Sequence, residues 1–151
     1  MRWKPNLTVA AVIERDGRFL IVEERTEDGL MLNQPAGHLE RGETLAQAVT
    51  REVLEESAYS FTPEFIVGVY HWPNEAADVT YMRFAFGGTA GMRTEGRALD
   101  AGIMRALWMS RDELAASQER HRSPYVLACV DDYLAGRHFP LDLVRHFGEG
   151  P

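Results

Sequence analysis

Hydrophobic residues follow two rhythms along this chain. From Leu7 to Glu14 and from Phe19 to Glu23, β-branched and aliphatic residues crowd into short runs around the turn pair Asp16-Gly17, which predicts two strands joined as a hairpin. Thr26 to Gly29 is polar and reads as a loop. Asn33 to Glu43 holds Pro35, Gly37 and Gly42 and reads as irregular backbone. Helical spacing takes over from Thr44 to about Ser57. Phe61 to Trp72 and Val79 to Phe86 alternate well enough to predict strands, and Ile103 to Met109 predicts another. The glycine-rich stretch from Gly87 to Gly102 reads as a loop or weak strand. Ser110 and Glu113 have the spacing of a capping box ahead of a short helix. Ser123-Pro124 reads as an N-cap with proline at the first helical position, followed by Val126, Cys129, Val130, Tyr133 and Leu134 at helical spacing and Gly136 as a stop. The order is β-β-α-β-β-β-α-α. Without regular alternation of strand and helix, an α+β fold with a mixed sheet between helices is expected rather than a doubly wound parallel sheet.

Composition narrows this to one globular domain over residues 1–151. At 151 residues and 45% hydrophobic, the chain can build a real core without disulfides or structural metal. Sixteen basic against twenty-three acidic residues give a net charge of -7, which argues against a duplex nucleic acid partner. Cys129 is the only cysteine, so no intramolecular disulfide forms, as suits a reducing compartment. No apolar run has the length of a signal peptide or a membrane span, and the expected location is the cytoplasm. A monomer is the default, with a dimer through apolar sheet edges as the alternative. The last residues, Gly148-Glu149-Gly150-Pro151, read as a frayed end.

The acidic excess is not evenly spread. On a helix, Glu56 lies about 40° from Glu52 and Glu55 about 60° on its other side, so the three carboxylates share a face. Leu45 falls about 20° from both Glu52 and Glu56, and Val49 about 20° from Glu56. The acids therefore extend the buried stripe, where a solvated charged face would oppose it. Clustered like charges near a core are costly unless protonated, paired with Arg51, or bound to a hard divalent cation such as Mg²⁺ or Mn²⁺. Such a cation neutralises phosphate oxygens. Gly37 and Gly42 bracket a loop able to aim backbone groups at it, though two glycines by themselves read better as a plain turn.

Read together, Gly37, Glu43, Arg51, Glu52, Val53, Glu55, Glu56 and Tyr59 resemble the Nudix box, and the match spans residues 37–59. One position departs: Ala58 stands where the pattern has the glycine that ends the helix in a left-handed conformation. Outside the box, Asn33 to Glu40, Tyr81 to Phe84 and Arg122-Ser123-Pro124 are similar to the NudJ-type phosphatases of that family.

The resemblance implies an α/β/α sandwich around a mixed sheet. It implies a Mg²⁺-dependent hydrolase, with Mn²⁺ as a substitute, acting on small-molecule nucleoside di- and triphosphates and related pyrophosphates. Hydroxymethylpyrimidine pyrophosphate is included, with orthophosphate as the expected product and pyrophosphate as the neighbouring possibility. Glu52, Glu55 and Glu56 would be metal ligands, one also serving as base towards water, with the Gly37 carbonyl as a further ligand. Glu43 and Arg51 would support loop and helix by ion pairing. Asp100 is the candidate for an additional acid from a distant loop, against a turn-forming role beside Gly102.

On the substrate side, Arg83 is a candidate phosphate contact, and Trp72, Tyr81 and Phe84 are candidates to stack on a heteroaromatic base, against core packing. Arg122 is a candidate to close over substrate, with Gln34 and His71 as pocket liners. His38 reads as a loop residue. Two alternatives stay open: a housecleaning pyrophosphatase for modified nucleotides, dinucleoside polyphosphates or sugar nucleotides, and a Nudix-fold module that senses a nucleotide without turnover.

Overall fold

The computed structural model describes residues 1–148; of the expected frayed end at 148–151, residues 149–151 lie outside the described residues. The elements in chain order are β1 (Asn6–Val12), β2 (Glu14–Arg15), β3 (Arg18–Thr26), β4 (Gly29–Asn33), β5 (Ala36–His38), α1 (Leu45–Ser57), β6 (Tyr59–Asn74), β7 (Val79–Arg93), β8 (Ile103–Ser110), α2 (Arg111–Ala115) and α3 (Tyr125–Leu134). One sheet runs β5-β1-β7-β6 and is mixed, since β1 and β7 are parallel and the other pairs antiparallel. The second is antiparallel: β3 pairs with β2 and β4, and with β8.

The sheets sit between α1 and α3, and alternation along the strands sorts the core into two clusters. Val9, Ala11, Ile13 and Leu20 join Val49 and Val53 of α1. Val12, Phe19 and Ile21 join Val126, Cys129 and Val130 of α3. This is the expected α/β/α arrangement. Cys129 is buried as a free thiol.

The first expected hairpin forms only over two residues. Glu14 and Arg15 pair with Phe19 and Arg18, while β1 leaves for the other sheet. Val9 to Ile13 are at most 1% exposed, and such continuous burial suits a central strand flanked on both edges. Thr26 to Gly29 turns between β3 and β4, a strand that polar flanks concealed, and β5 lies inside the stretch read as irregular. The glycine-rich run begins as strand, since β7 continues to Arg93 beside β6, and is loop from there to Gly102. Gly87 and Gly88 belong there because added Cβ atoms would lie 2.2 Å from the Phe65 ring and 2.1 Å from the Thr62 carbonyl oxygen. No helix among the described residues is long and apolar enough to cross a membrane.

Candidate active site

Helix α1 carries the acids and is held at both ends. Thr44 caps it: its hydroxyl accepts from the Gln47 N–H at 3.1 Å, and the Gln47 side chain accepts from the Thr44 N–H at 2.8 Å. At the other end Ala58 adopts φ 64°, ψ 8°, and its N–H donates to the Leu54 carbonyl at 2.9 Å. The left-handed turn survives without its glycine because Ala58 is fully enclosed and its backbone N–H is bonded.

The buried face of α1 includes Glu52, which is 8% exposed. Its carboxyl occupies the space a side chain would fill at Gly37: a Cβ there would lie 2.2 Å from it. Any larger residue would force the Glu52 carboxyl to move. Glu52, Glu55 and Asp100 each present a carboxylate oxygen, all within 4.8 Å of one another. Asp100 reaches the helix because its N–H donates to the Glu55 carbonyl at 2.9 Å, which ties the loop after β7 to α1.

Arg51 balances part of this charge. Its Nη1 donates to Glu52 at 2.7 Å and Glu55 at 3.2 Å, while Nε and Nη2 grip Glu43 at 3.1 and 2.7 Å. It also reaches the His38 carbonyl at 3.0 Å, which locks the loop before α1 onto the helix. Hydrogen bonding to Arg51 holds Glu43 below the usual carboxylate range, and the Glu43 contact leads in raising Arg51. Desolvation outweighs the same guanidinium at Glu52 and raises its pKa.

Glu56 stands apart from that trio. It accepts from the Ala36 N–H at 2.9 Å and lines a cavity of about 600 Å³. Burial pushes its pKa up to about 8 against the pull of that hydrogen bond.

The cavity's other walls gather what the sequence left scattered. Trp72, Tyr81, Arg83 and Arg122 all line it, as do Gly37 and His38. Trp72 stacks on Tyr81 with ring centroids 5.8 Å apart, and meets Tyr125 edge-on at 5.3 Å. Arg83 is 3% exposed rather than exposed on its strand, and its guanidinium lies over the Tyr125 ring at 4.1 Å. Arg122 pairs with Glu24 at 3.0 Å.

Other residues fall elsewhere. Phe84 packs with the α1-side cluster, because it alternates with Tyr81 and Arg83 along β7. Gln34 is buried behind Arg83 and does not line the cavity, nor does His71. His38 ends strand β5 rather than sitting in a loop.

Thr8, Glu24, Asn33, Ser123 and Tyr125 also line the cavity and escaped sequence reasoning. Thr8 looks like any strand threonine, and Tyr125 follows core spacing. Ser123 read as a cap, yet Pro124 occupies the cap position and the Ser123 hydroxyl has no partner. The segment bearing Arg122 and Ser123 is strapped over β3 and β4. Arg120 pairs with Glu23, and the Arg122 N–H donates to the Leu32 carbonyl at 2.9 Å.

This sandwich, with a carboxylate-bearing helix abutting a glycine strand, is that of a Nudix hydrolase. The NUDIX domain pattern matches residues 4–128, and the chain belongs to that family. It is 35% identical to Phosphatase NudJ of Escherichia coli strain K12 over 146 residues, 96% of this chain and 94% of the relative. A NUDIX hydrolase from Nitrosomonas europaea shares 50% identity and superposes with a TM-score of 0.93, covering 95% of this chain and 98% of that one. A MutT NUDIX hydrolase from Burkholderia pseudomallei, at 19% identity and TM-score 0.72 over 86% and 98% of the two chains, shares the fold.

Proposed function

We propose that this chain is a Mg²⁺-dependent hydrolase of nucleoside di- and triphosphates and related pyrophosphates, with Mn²⁺ as a substitute cation. The observation that carries this reading is the convergence of Glu52, Glu55 and Asp100 on the helix whose Glu56 lines a cavity together with Trp72, Tyr81 and Arg83. An all-oxygen donor set of this kind suits a hard divalent cation, and Arg51, which pairs with Glu52 and Glu55 of the three, leaves charge for it to neutralise. Bound there, the cation supplies positive charge to phosphate oxygens and lowers the pKa of water.

Glu52, Glu55 and Asp100 hold it, with the Gly37 carbonyl as a further donor. Glu56, fixed by the Ala36 N–H, takes a proton from the attacking water. Glu43 keeps Arg51 in place, and Arg51 keeps Glu52 and Glu55 at the right spacing. Trp72 and Tyr81 offer planar faces to a base. Arg122 exchanges its Glu24 partner for substrate. The similarity to Phosphatase NudJ favours orthophosphate as product, and hydroxymethylpyrimidine pyrophosphate stays within the substrate class that the similarity implies.

The test offers purified protein a panel of nucleoside di- and triphosphates and hydroxymethylpyrimidine pyrophosphate, with Mg²⁺ or chelator, and resolves phosphate from pyrophosphate. Turnover with Mg²⁺ that chelator abolishes is expected. Binding without turnover across the panel overturns the hydrolase reading in favour of a sensor.

A further inference from the structure

Glu23 and Glu24 are neighbours on β3, and each holds an arginine of the strap that precedes α3. Glu24 pairs with Arg122 at 3.0 Å, and both residues line the cavity. Glu23 pairs with Arg120 and, at 3.2 Å, with Arg105, and neither Glu23 nor Arg120 lines the cavity. Adjacent residues on a strand point to opposite faces, so the strap grips β3 from both.

The hidden pair is costly to keep. Glu23 is 7% exposed. Its carboxyl is nevertheless held below the usual range, above all by the hydrogen bond from Arg120, so it stays charged. A carboxylate buried to this extent persists only with its partners in place. Arg120 Nε also donates to the Leu30 carbonyl at 3.1 Å. The next residue, His121, bridges Leu32 in parallel, and its Nε2 lies 2.9 Å from the Leu114 carbonyl oxygen. Arg122 follows with its N–H on the Leu32 carbonyl at 2.9 Å. Three successive residues are thus pinned, and the Arg122 side chain is the part left to move.

That side chain is 41% exposed, and Glu24 is its ion-pair partner. The charge of Glu24 is also among the causes that raise Glu56, which brings this arm into the neighbourhood of Glu56. A guanidinium fork matches phosphate oxygens, and it binds them best when its stem is already placed. We propose that Glu23, acting through Arg120, is a positioning residue that fixes the strap so that Arg122 meets a phosphate of the bound substrate. The proposal rests on the hydrolase reading above and deepens its assignment of Arg122.

Calorimetry of methylenediphosphonate with Mg²⁺ tests it in a double-mutant cycle of Arg120→Ala and Arg122→Ala, with Tm measured alongside. The probe does not turn over, so the result is separate from the substrate panel that tests hydrolysis. Arg122→Ala is expected to weaken binding about tenfold. Arg120→Ala is expected to weaken it about fivefold in the wild-type background and to add nothing in the Arg122→Ala background. Arg120→Lys, which keeps a charge for Glu23, is expected to recover most of the loss. Glu23→Gln keeps the shape, runs the same cycle independently, and is expected to match Arg120→Ala. A lowered Tm with unchanged binding makes the pair a structural tie and overturns the proposal. Equal loss from Arg120→Ala in both backgrounds marks an effect that bypasses Arg122 and overturns it as well. Full affinity in Arg122→Ala removes the phosphate contact itself, and the positioning role with it.

Discussion

At the scale of single residues, Glu56 and Gly37 carry the sharpest consequences. Burial lifts Glu56 from 4.5 to about 8, so between those values the folded chain keeps a proton that the unfolded chain has released. In metal-free protein its contribution to stability is therefore full below about 4.5 and declines as pH rises towards 8. Glu56→Gln mimics the protonated form and still accepts from the Ala36 N–H. Its Tm advantage in chelator is expected to be absent near pH 4 and to grow up to pH 8, as pH-resolved melting would show; an advantage that shrinks with pH contradicts the buried-acid account. The same variant should lose about 100-fold or more in kcat if Glu56 takes the proton from water. Gly37→Ala would push a methyl into the Glu52 carboxyl. Activity at limiting Mg²⁺ is expected to fall about tenfold or more, partly restored at high Mg²⁺, in a metal titration of initial rates.

At the scale of elements, α1 is the part whose ends matter most. Its capping box stabilises the helix, and Thr44→Ala is expected to cost about 1 kcal/mol in denaturant unfolding. Ala58 is a closer balance. Glycine would relieve left-handed strain of about 1 kcal/mol, but would remove a fully buried methyl worth about 0.8 kcal/mol. Ala58→Gly is therefore expected to be nearly neutral in the same measurement, and a change above about 1 kcal/mol would show that one effect dominates. Departure from the family glycine thus leaves the acidic side of the helix undisturbed.

At the scale of the whole molecule, electrostatics and assembly of the site are coupled. Arg51 draws on Glu43, Glu52 and Glu55 at once, while the Asp100 loop and the β5 edge close around the same helix. Cation binding to the folded arrangement alone should stabilise it by about 2.7 kcal/mol at 100 times Kd. For a domain of this size that is a rise of roughly 5–10 °C in Tm on adding Mg²⁺. Differential scanning of wild type and Glu52→Gln would read it, and the variant is expected to lose most of the increment.

Much of this was legible in the residues themselves. The helical register of Glu52, Glu55 and Glu56 with Leu45 and Val49, the capping signals at Thr44 and Ser110, and the clustering of part of the acidic excess on one helix follow from spacing alone, because local geometry sets them. The Nudix spacing named the family on the same ground. Pairing partners were not legible: β1 abandons its expected hairpin because burial on both faces favours a central place beside β5 and β7, and Gly87-Gly88 looked like loop because glycine's use in close packing is visible only beside Phe65 and Thr62. Nor did spacing show that Glu56 stands apart from Glu52, Glu55 and Asp100, or that Thr8, Arg83 and Ser123 share a wall. Those positions are separated by tens of residues, and only the strand order and the strap over β3 and β4 bring them together. The sequence by itself determined the acidic helix and the family chemistry it can support. The tertiary structure decided which carboxylates converge, that Glu56 lines the cavity, and which residues distant in sequence share its walls.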